Sequence, residues 1–134
     1  MKYQTLVLAL AVLVLAQTDE VKLDVGQAKI TTVSAMRVRR APQASAEEIT
    51  RLKLGTVVNP VARSVDQETI NGKNDYWYRV SLPNGETGWL FGGLLLDYDA
   101  RQRNELLRQI IEARLKAENT DFADRQEIDR KSVV

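Results

Sequence analysis

The chain has 134 residues, of which 19 are lysine or arginine and 18 are aspartate or glutamate, and it has neither cysteine nor histidine. Without cysteine there are no disulfides and no thiol chemistry, and without histidine there is no Ser-His-Asp triad and no usual zinc site. The length allows one domain with extensions, and the nearly balanced charge gives no support to nucleic-acid binding.

The N-terminal segment has the pattern of a secretory signal peptide. Lys2 supplies a positive start, and residues 6–16 form an unbroken run of leucine, valine and alanine. We predict a signal peptide over 1–16 that is cleaved near Ala16, because the run is well short of the roughly 20 residues that span a bilayer. An uncleaved N-terminal anchor is the alternative. The prediction implies an exported protein, periplasmic or extracellular, that contacts a membrane only through this segment.

The next part of the chain alternates between polar and strand-like segments. Residues 17–29 are mixed and polar, and we predict a linker there. A strand rich in isoleucine, threonine and valine is predicted over 30–40, and a loop of small residues follows at 41–46. Residues 47–54 fit a short helical turn or an extended arm equally well. A second strand is predicted over 56–65.

Pro60 within that second strand indicates a bulge or a sheet edge. Residues 66–75 are polar, and we predict that they form a loop. The clearest local pattern follows, because Asn84-Gly85 lies between two strand-like segments and predicts a β-hairpin. Alternation divides the first hairpin strand into two faces. One face consists of Tyr76, Tyr78, Val80 and Leu82, and the other of Trp77, Arg79 and Ser81.

After a break at 91–93, a short apolar strand is predicted at 94–96. Five short strands separated by turns predict a small β-barrel. The side chains expected at its centre are Val38, Val57, Val80 and Trp89.

At Asp99 the pattern changes to a helical period. Asp99 and Gln102 have the spacing of a capping box. An apolar stripe then recurs at helical spacing, formed by Leu106, Leu107, Ile110, Ile111 and Leu115. We predict a helical extension over 99–128, with a stop at Asn119 and a second helix through Ile128. The stripe needs a partner surface, which the barrel, another copy of the chain or a following domain would supply.

The last six residues, 129–134, back-translate to GAT CGG AAG AGC GTC GTG, which is a common sequencing-adapter sequence. We interpret them as a sequencing artefact. The native chain is then expected to continue past Ile128, which makes the helical extension incomplete. An ordinary C-terminal tail is the alternative.

Four segments resemble, in order, the pattern of the bacterial SH3-like (SH3b) domain. They are 36–42 (MRVRRAP), 52–58 (LKLGTVV), 77–80 (WYRV) and 85–90 (GETGWL). Two departures are visible, since Arg37 stands where asparagine is usual and the loop at 64–75 is long. The resemblance implies an SH3-like five-stranded barrel over 30–98, mainly β, followed by the C-terminal helical segment.

The resemblance also implies a non-catalytic, extracytoplasmic binding or targeting module. Members of the family often accompany cell-wall hydrolases and are thought to bind peptidoglycan or its peptides, whereas others are structural. The expected ligand is therefore peptidoglycan or an envelope protein. The alternatives are the targeting portion of a truncated cell-wall hydrolase and a self-associating structural envelope protein.

No arrangement of residues in the sequence predicts an active site. Asp97 and Asp99 are better explained as a strand end and a helix cap than as an acid–base pair. Gly92-Gly93 lacks the Gly-Lys-Ser/Thr of a phosphate loop. We therefore expect no enzymatic activity, no metal and no cofactor.

Aromatic residues gather around the predicted hairpin, and side chains of this kind suit sugars and short peptides. Two arginines beside the loop at 41–46 suit a carboxylate. The candidate binding residues are Tyr76, Trp77, Tyr78, Phe91, Arg39 and Arg40. The alternative for the aromatics is a place in the barrel core, and the alternative for the arginines is an ordinary solvated charge.

Overall fold

The computed structural model describes residues 19–24 and 26–132, so the predicted signal peptide over 1–16 lies outside the described residues. The described part of the chain is mainly β and ends in a helix, which confirms the predicted fold class. This part of the chain contains nine strands where the sequence indicated five. No helix in this part of the chain is both long enough and apolar enough to cross a membrane.

The strands form two antiparallel sheets. They are β1 (Glu20–Lys22), β2 (Lys29–Thr31), β3 (Met36–Arg39), β4 (Glu48–Leu52), β5 (Val57–Val58), β6 (Pro60–Ile70), β7 (Lys73–Ser81), β8 (Thr87–Phe91) and β9 (Leu95–Asp97). Short 3₁₀ turns cover Gly92–Leu94 and Ala100–Gln102, and helix α1 covers Arg103–Ser132. The six-stranded sheet has the order β1-β6-β7-β8-β3-β4, and the three-stranded sheet has the order β5-β2-β9.

Two clusters of buried side chains make up the core. The aliphatic cluster consists of Met36, Val38, Val58, Val80, Leu82, Leu90 and Leu95. The aromatic cluster consists of Trp77, Trp89 and Phe91. Three of the four expected central residues are therefore buried, but Val57 is only half-buried and its neighbour Val58 takes the core position.

The predicted hairpin at Asn84-Gly85 joins β7 and β8. Leu82 N–H donates to the Glu86 carbonyl at 2.7 Å, and Gly85 has a φ of 84°, a value that glycine adopts without strain. The two predicted faces of β7 are both covered along this stretch. Val80 belongs to the aliphatic cluster, and Trp77 belongs to the aromatic cluster. The two clusters thus account for the burial of both faces of β7.

A second hairpin replaces the loop that the sequence predicted over 66–75, and that prediction is wrong. β6 and β7 pair from Gln67↔Tyr76 to Ile70↔Lys73 and turn at Asn71-Gly72. Asn71 and Gly72 have φ values of 49° and 80°, as the tight turn of a two-residue hairpin requires. The bulge predicted at Pro60 is present, since the β6–β7 register shifts between Pro60 and Ala62.

The N-terminal region is more ordered than a linker. The segment predicted as a linker over 17–29 contains β1, which pairs with β6. Arg79 on β7 donates to both carboxylate oxygens of Glu20 at 2.8 Å. These two hydrogen bonds help to hold β1 against the sheet. The strand predicted over 30–40 is divided into β2 and β3 by a turn in which Ala35 has a φ of 53°. The undecided segment 47–54 is extended and forms β4.

Helix α1 is continuous, so the predicted stop at Asn119 and the predicted second helix are wrong. The Thr120 hydroxyl donates to the Lys116 carbonyl at 2.9 Å, which satisfies its polar group within the helix. Asp99 acts as a cap, as predicted, because its carboxylate accepts the Arg101 N–H at 3.0 Å. The capped element is the 3₁₀ turn that precedes α1.

The first half of α1 lies against the barrel. Leu106 and Leu107 are half-buried and Ile110 is 3% exposed, whereas Ile111 and Leu115 are 49% and 53% exposed. The barrel is therefore the partner surface for the first half of the predicted stripe. The second half of the stripe faces away from the barrel.

Candidate functional site

A groove of about 460 Å³ lies between the turn at 34–35, the hairpin tip at Asn71 and the outer face of β3. Its apolar lining includes Val33, Met36, Ile70, Trp77, Phe91 and Leu94, together with two alanines. The charged residues that line it are all arginines, namely Arg37, Arg39 and Arg51. We call this site the arginine groove. Its volume is within the range of pockets that bind small molecules or short peptide segments.

The floor of the arginine groove comes from β7 and β8. Trp77 and Phe91 are directly opposite each other in the β7–β8 register, with ring centroids 5.5 Å apart and planes tilted by 58°. Tilted aromatic pairs of this kind are favourable beyond the area they bury. The two residues are 2% and 4% exposed, so a ligand would meet only their edges.

Glu68 connects this floor to one wall of the groove. Its carboxylate accepts the Trp77 indole N–H at 2.7 Å and the Ala44 backbone N–H at 3.2 and 3.4 Å. Arg39 donates to the Ala46 carbonyl at 2.9 Å. These bonds hold the small-residue loop at 41–46 against the barrel, so that Ala44 lines the groove.

The strand register of β3 and β4 brings the arginines together. Val38 is buried and its neighbours Arg37 and Arg39 point outward on the opposite face of β3. Arg37 is directly opposite Arg51, and Arg39 is directly opposite Glu48. Like charges in directly opposed cross-strand positions are unfavourable. Glu48 reduces the repulsion by forming an ion pair with Arg51.

The pKa of Glu48 reflects this positive surface. The hydrogen bond from Arg51 lowers the pKa of Glu48, and the charges of Arg51, Arg37 and Arg39 lower it further. The same hydrogen bond raises the pKa of Arg51. Glu48 therefore keeps its negative charge to a lower pH than an ordinary glutamate, and the bond with Glu48 favours the charged form of Arg51.

The structure brings three of the six predicted binding residues together. Arg39, Trp77 and Phe91 line the arginine groove. The other three have different partners. Arg63 Cζ lies 4.0 Å from the centre of the Tyr76 ring, and Lys29 Nζ lies 4.7 Å from the centre of the Tyr78 ring. Arg40 Nε is 3.0 Å from a carboxylate oxygen of Glu47. Trp77 and Phe91 belong to the buried aromatic cluster and also line the groove, so both expected positions apply to them.

Ten of the thirteen residues that line the groove were not predicted from the sequence, among them Arg37, Arg51, Ile70 and Leu94. Arg37 was marked only as a departure from the SH3b pattern, and that departure was the available indication. Arg51 becomes a neighbour of Arg37 only through the β3–β4 register. Ile70 reaches the groove only because β6 continues through the segment that was predicted as a loop.

The carboxylates considered for acid–base chemistry have structural partners. Lys29 donates to Asp97 at 2.8 Å, and Arg101 donates to Asp99 at 2.9 Å. The described residues include no group of three or more acidic side chains placed to hold a metal ion.

The comparisons with known proteins agree with this architecture. A family model described as "Bacterial SH3 domain" matches residues 34–95. The match begins just before β3 and ends at the first residue of β9, so it contains all three arginines of the groove. Neither the curated proteins nor the solved structures compared with the chain gave a match.

Proposed function

Because the chain is a bacterial SH3-domain protein, we propose that it binds the cell wall outside the cytoplasm, with peptidoglycan as its ligand. Domains of this family are generally non-catalytic binding modules, often for the cell wall, and they are commonly extracellular or periplasmic. The signal-peptide pattern over 1–16 supports the same location.

One observation carries the proposal, namely the combination of an apolar floor and polar walls in the arginine groove. Leu94 and Ile70 are half-buried, so each offers part of its surface to a ligand. Pockets that bind small molecules combine such apolar surface with a few polar groups that fix orientation. Peptidoglycan offers matching chemistry, because its peptides carry short aliphatic side chains and its sugars carry apolar ring faces.

Sedimentation with purified sacculi tests the proposal. The protein that begins at residue 17 is expected to pellet with sacculi in a saturable manner and to stay in solution with cellulose, the control polymer. A protein that remains in the supernatant with sacculi, even at low salt, would contradict wall binding.

A matched pair of variants on β6 tests whether the arginine groove is the surface that binds sacculi. Ile70→Ser removes a half-buried aliphatic group of the groove, whereas Val65→Ser removes an exposed one outside it. We expect Ile70→Ser to weaken pelleting several-fold and Val65→Ser to leave it unchanged. Trp77→Ala is a poor test, because a side chain that is 2% exposed costs about 3–5 kcal/mol when it is truncated.

Self-association is a second candidate function, and the exposed half of the α1 stripe favours it. Ile111, Leu115 and Phe122 are all about half exposed or more on one helix. Light scattering over a range of protein concentrations tests this candidate. A mass that rises with concentration would support it, and a monomer throughout would reject it.

A further inference from the structure

The arginine groove has a charge distribution that its apolar lining does not explain. Its three charged lining residues are all cations, and two of them, Arg37 and Arg51, are directly opposite each other on neighbouring strands. An opposed pair of like charges lowers the stability of a sheet. An anion placed between the two guanidinium groups would turn this repulsion into attraction.

We propose that the arginine groove receives a free carboxylate of a wall peptide between Arg37 and Arg51, while the adjoining part of the peptide lies on Leu94 and Ile70. The proposal rests on the wall-binding function and names the chemical group that is recognised. Guanidinium groups bind carboxylates through two parallel hydrogen bonds, which fixes the orientation as well as the charge of the ligand.

Glu48 provides an internal competitor for the same position. Its carboxylate already bonds Arg51, and it is directly opposite Arg39 on the neighbouring strand. The hydrogen bond from Arg51 lowers the pKa of Glu48, so Glu48 is a charged competitor for Arg51. The side chains of Arg51 and Glu48 are 54% and 31% exposed, so water screens their ion pair and its exchange for another carboxylate costs little.

The groove also limits the size of the ligand. A volume of about 460 Å³ is in the range of concave sites that hold small ligands or short peptide segments. The small-residue loop at 41–46, held by Glu68 and Arg39, closes the groove on one side. These dimensions favour a peptide end over the surface of a folded acidic protein.

The test compares native sacculi with sacculi whose carboxylates have been converted to amides. Wild-type protein is expected to bind the amidated sacculi about 10- to 100-fold more weakly, as the loss of a charge-assisted hydrogen bond predicts. Arg37→Glu and Arg51→Glu should weaken binding to native sacculi by a similar factor. Glu48→Gln should strengthen it, because the competing negative charge is removed.

Lys22→Glu is the matched control. It makes the same change in net charge at an exposed position on β1, at the other end of the six-stranded sheet from β4. We expect it to bind like the wild type. Equal losses in Lys22→Glu and Arg37→Glu would show that only overall charge matters and would overturn the assignment to the groove.

Other outcomes separate the two proposals. Equal binding to native and amidated sacculi would overturn the carboxylate site and leave wall binding intact. Hydrofluoric acid removes wall phosphate and retains the carboxylates. Loss of binding after this treatment would assign the groove to phosphate and would overturn the carboxylate site. No binding to either preparation would overturn both the site and the proposed function.

Discussion

Glu68 connects the floor of the arginine groove to one wall, because it accepts hydrogen bonds from Trp77 and Ala44. The substitution Glu68→Ala removes both hydrogen bonds. The Trp77 indole N–H then has no acceptor at a position where the side chain is 2% exposed. A buried donor left without a partner costs about 1–3 kcal/mol, and the partly exposed Ala44 N–H adds less because water can reach it. We expect a loss of about 2 kcal/mol in the free energy of unfolding, which is roughly 10 °C in Tm for a domain of this size.

Urea unfolding followed by tryptophan fluorescence measures this loss, and two further variants make it specific. Glu47→Ala removes an exposed carboxylate paired with Arg40 and should cost under about 1 kcal/mol. Trp77→Phe removes the indole donor, so Glu68→Ala should cost about 1 kcal/mol less in that background. An equal cost of Glu68→Ala in both backgrounds would refute the reasoning, because Glu68 would then not act through Trp77.

Three further predictions concern the helix, the core and the ligand. Ile110→Ala should lower the free energy of unfolding in urea by about 2–4 kcal/mol, and Ile111→Ala by under about 1 kcal/mol. The reason is that Ile110 is 3% exposed and Ile111 is 49% exposed. Equal losses would contradict the packing of α1 on the barrel. Gly88→Ala should lower the free energy of unfolding by about 1–3 kcal/mol in the same assay, because a Cβ there would lie 2.3 Å from Val38 Cγ1. An unchanged urea midpoint would contradict this, because it would mean that Val38 moves aside without cost. Sacculus binding should fall as the pH drops through about 4, where ligand carboxylates protonate. Glu48 adds to the fall, because the hydrogen bond from Arg51 lowers its pKa and it keeps its charge to a lower pH than an ordinary glutamate. Binding that persists unchanged at pH 3 would contradict a carboxylate ligand.

The two Asn-Gly hairpins show what local sequence can and cannot predict. Asn84-Gly85 was identified because the segments on both sides of it are rich in strand-forming apolar residues, and the segment before it alternates. Asn71-Gly72 has the same turn chemistry, but its flanking residues are polar and mostly exposed, so the apolar pattern of a strand is missing. The hairpin there depends on backbone pairing and on polar contacts such as Asn74 Nδ2 to Gln67 Oε1 at 2.8 Å.

Long-range partners explain the remaining differences in the fold. Nothing in Glu20–Lys22 alone predicts a strand, because its place depends on pairing with β6 and on the bond from Arg79 to Glu20. In α1, Asn119 and Thr120 have only modestly lower helix propensity than alanine, so they do not stop a helix. The ion pair between Asp121 and Arg125, at 2.8 Å, supports the helix beyond them.

The candidate site was only partly predictable for the same reason. The aromatic floor followed from the hairpin, since Trp77 and Phe91 are opposite each other in a register that Asn84-Gly85 sets. The arginine pair did not, because Arg37 and Arg51 meet only when β4 pairs with β3. The segment that forms β4 had no period that decided between a helical turn and a strand.

The position of β2 between β5 and β9 also has a consequence for the order of folding. Lys29 and Asp97 are neighbours in the finished sheet although 68 residues separate them along the chain. Distant pairings of this kind are made late, since the entropy of a long loop must be overcome before they contribute. Until residues 95–97 have been synthesised, β2 has only the two-residue strand β5 to pair with, and Ile30 has no complete sheet to cover it. The three-stranded sheet can therefore be completed only after the chain has been made through Asp97.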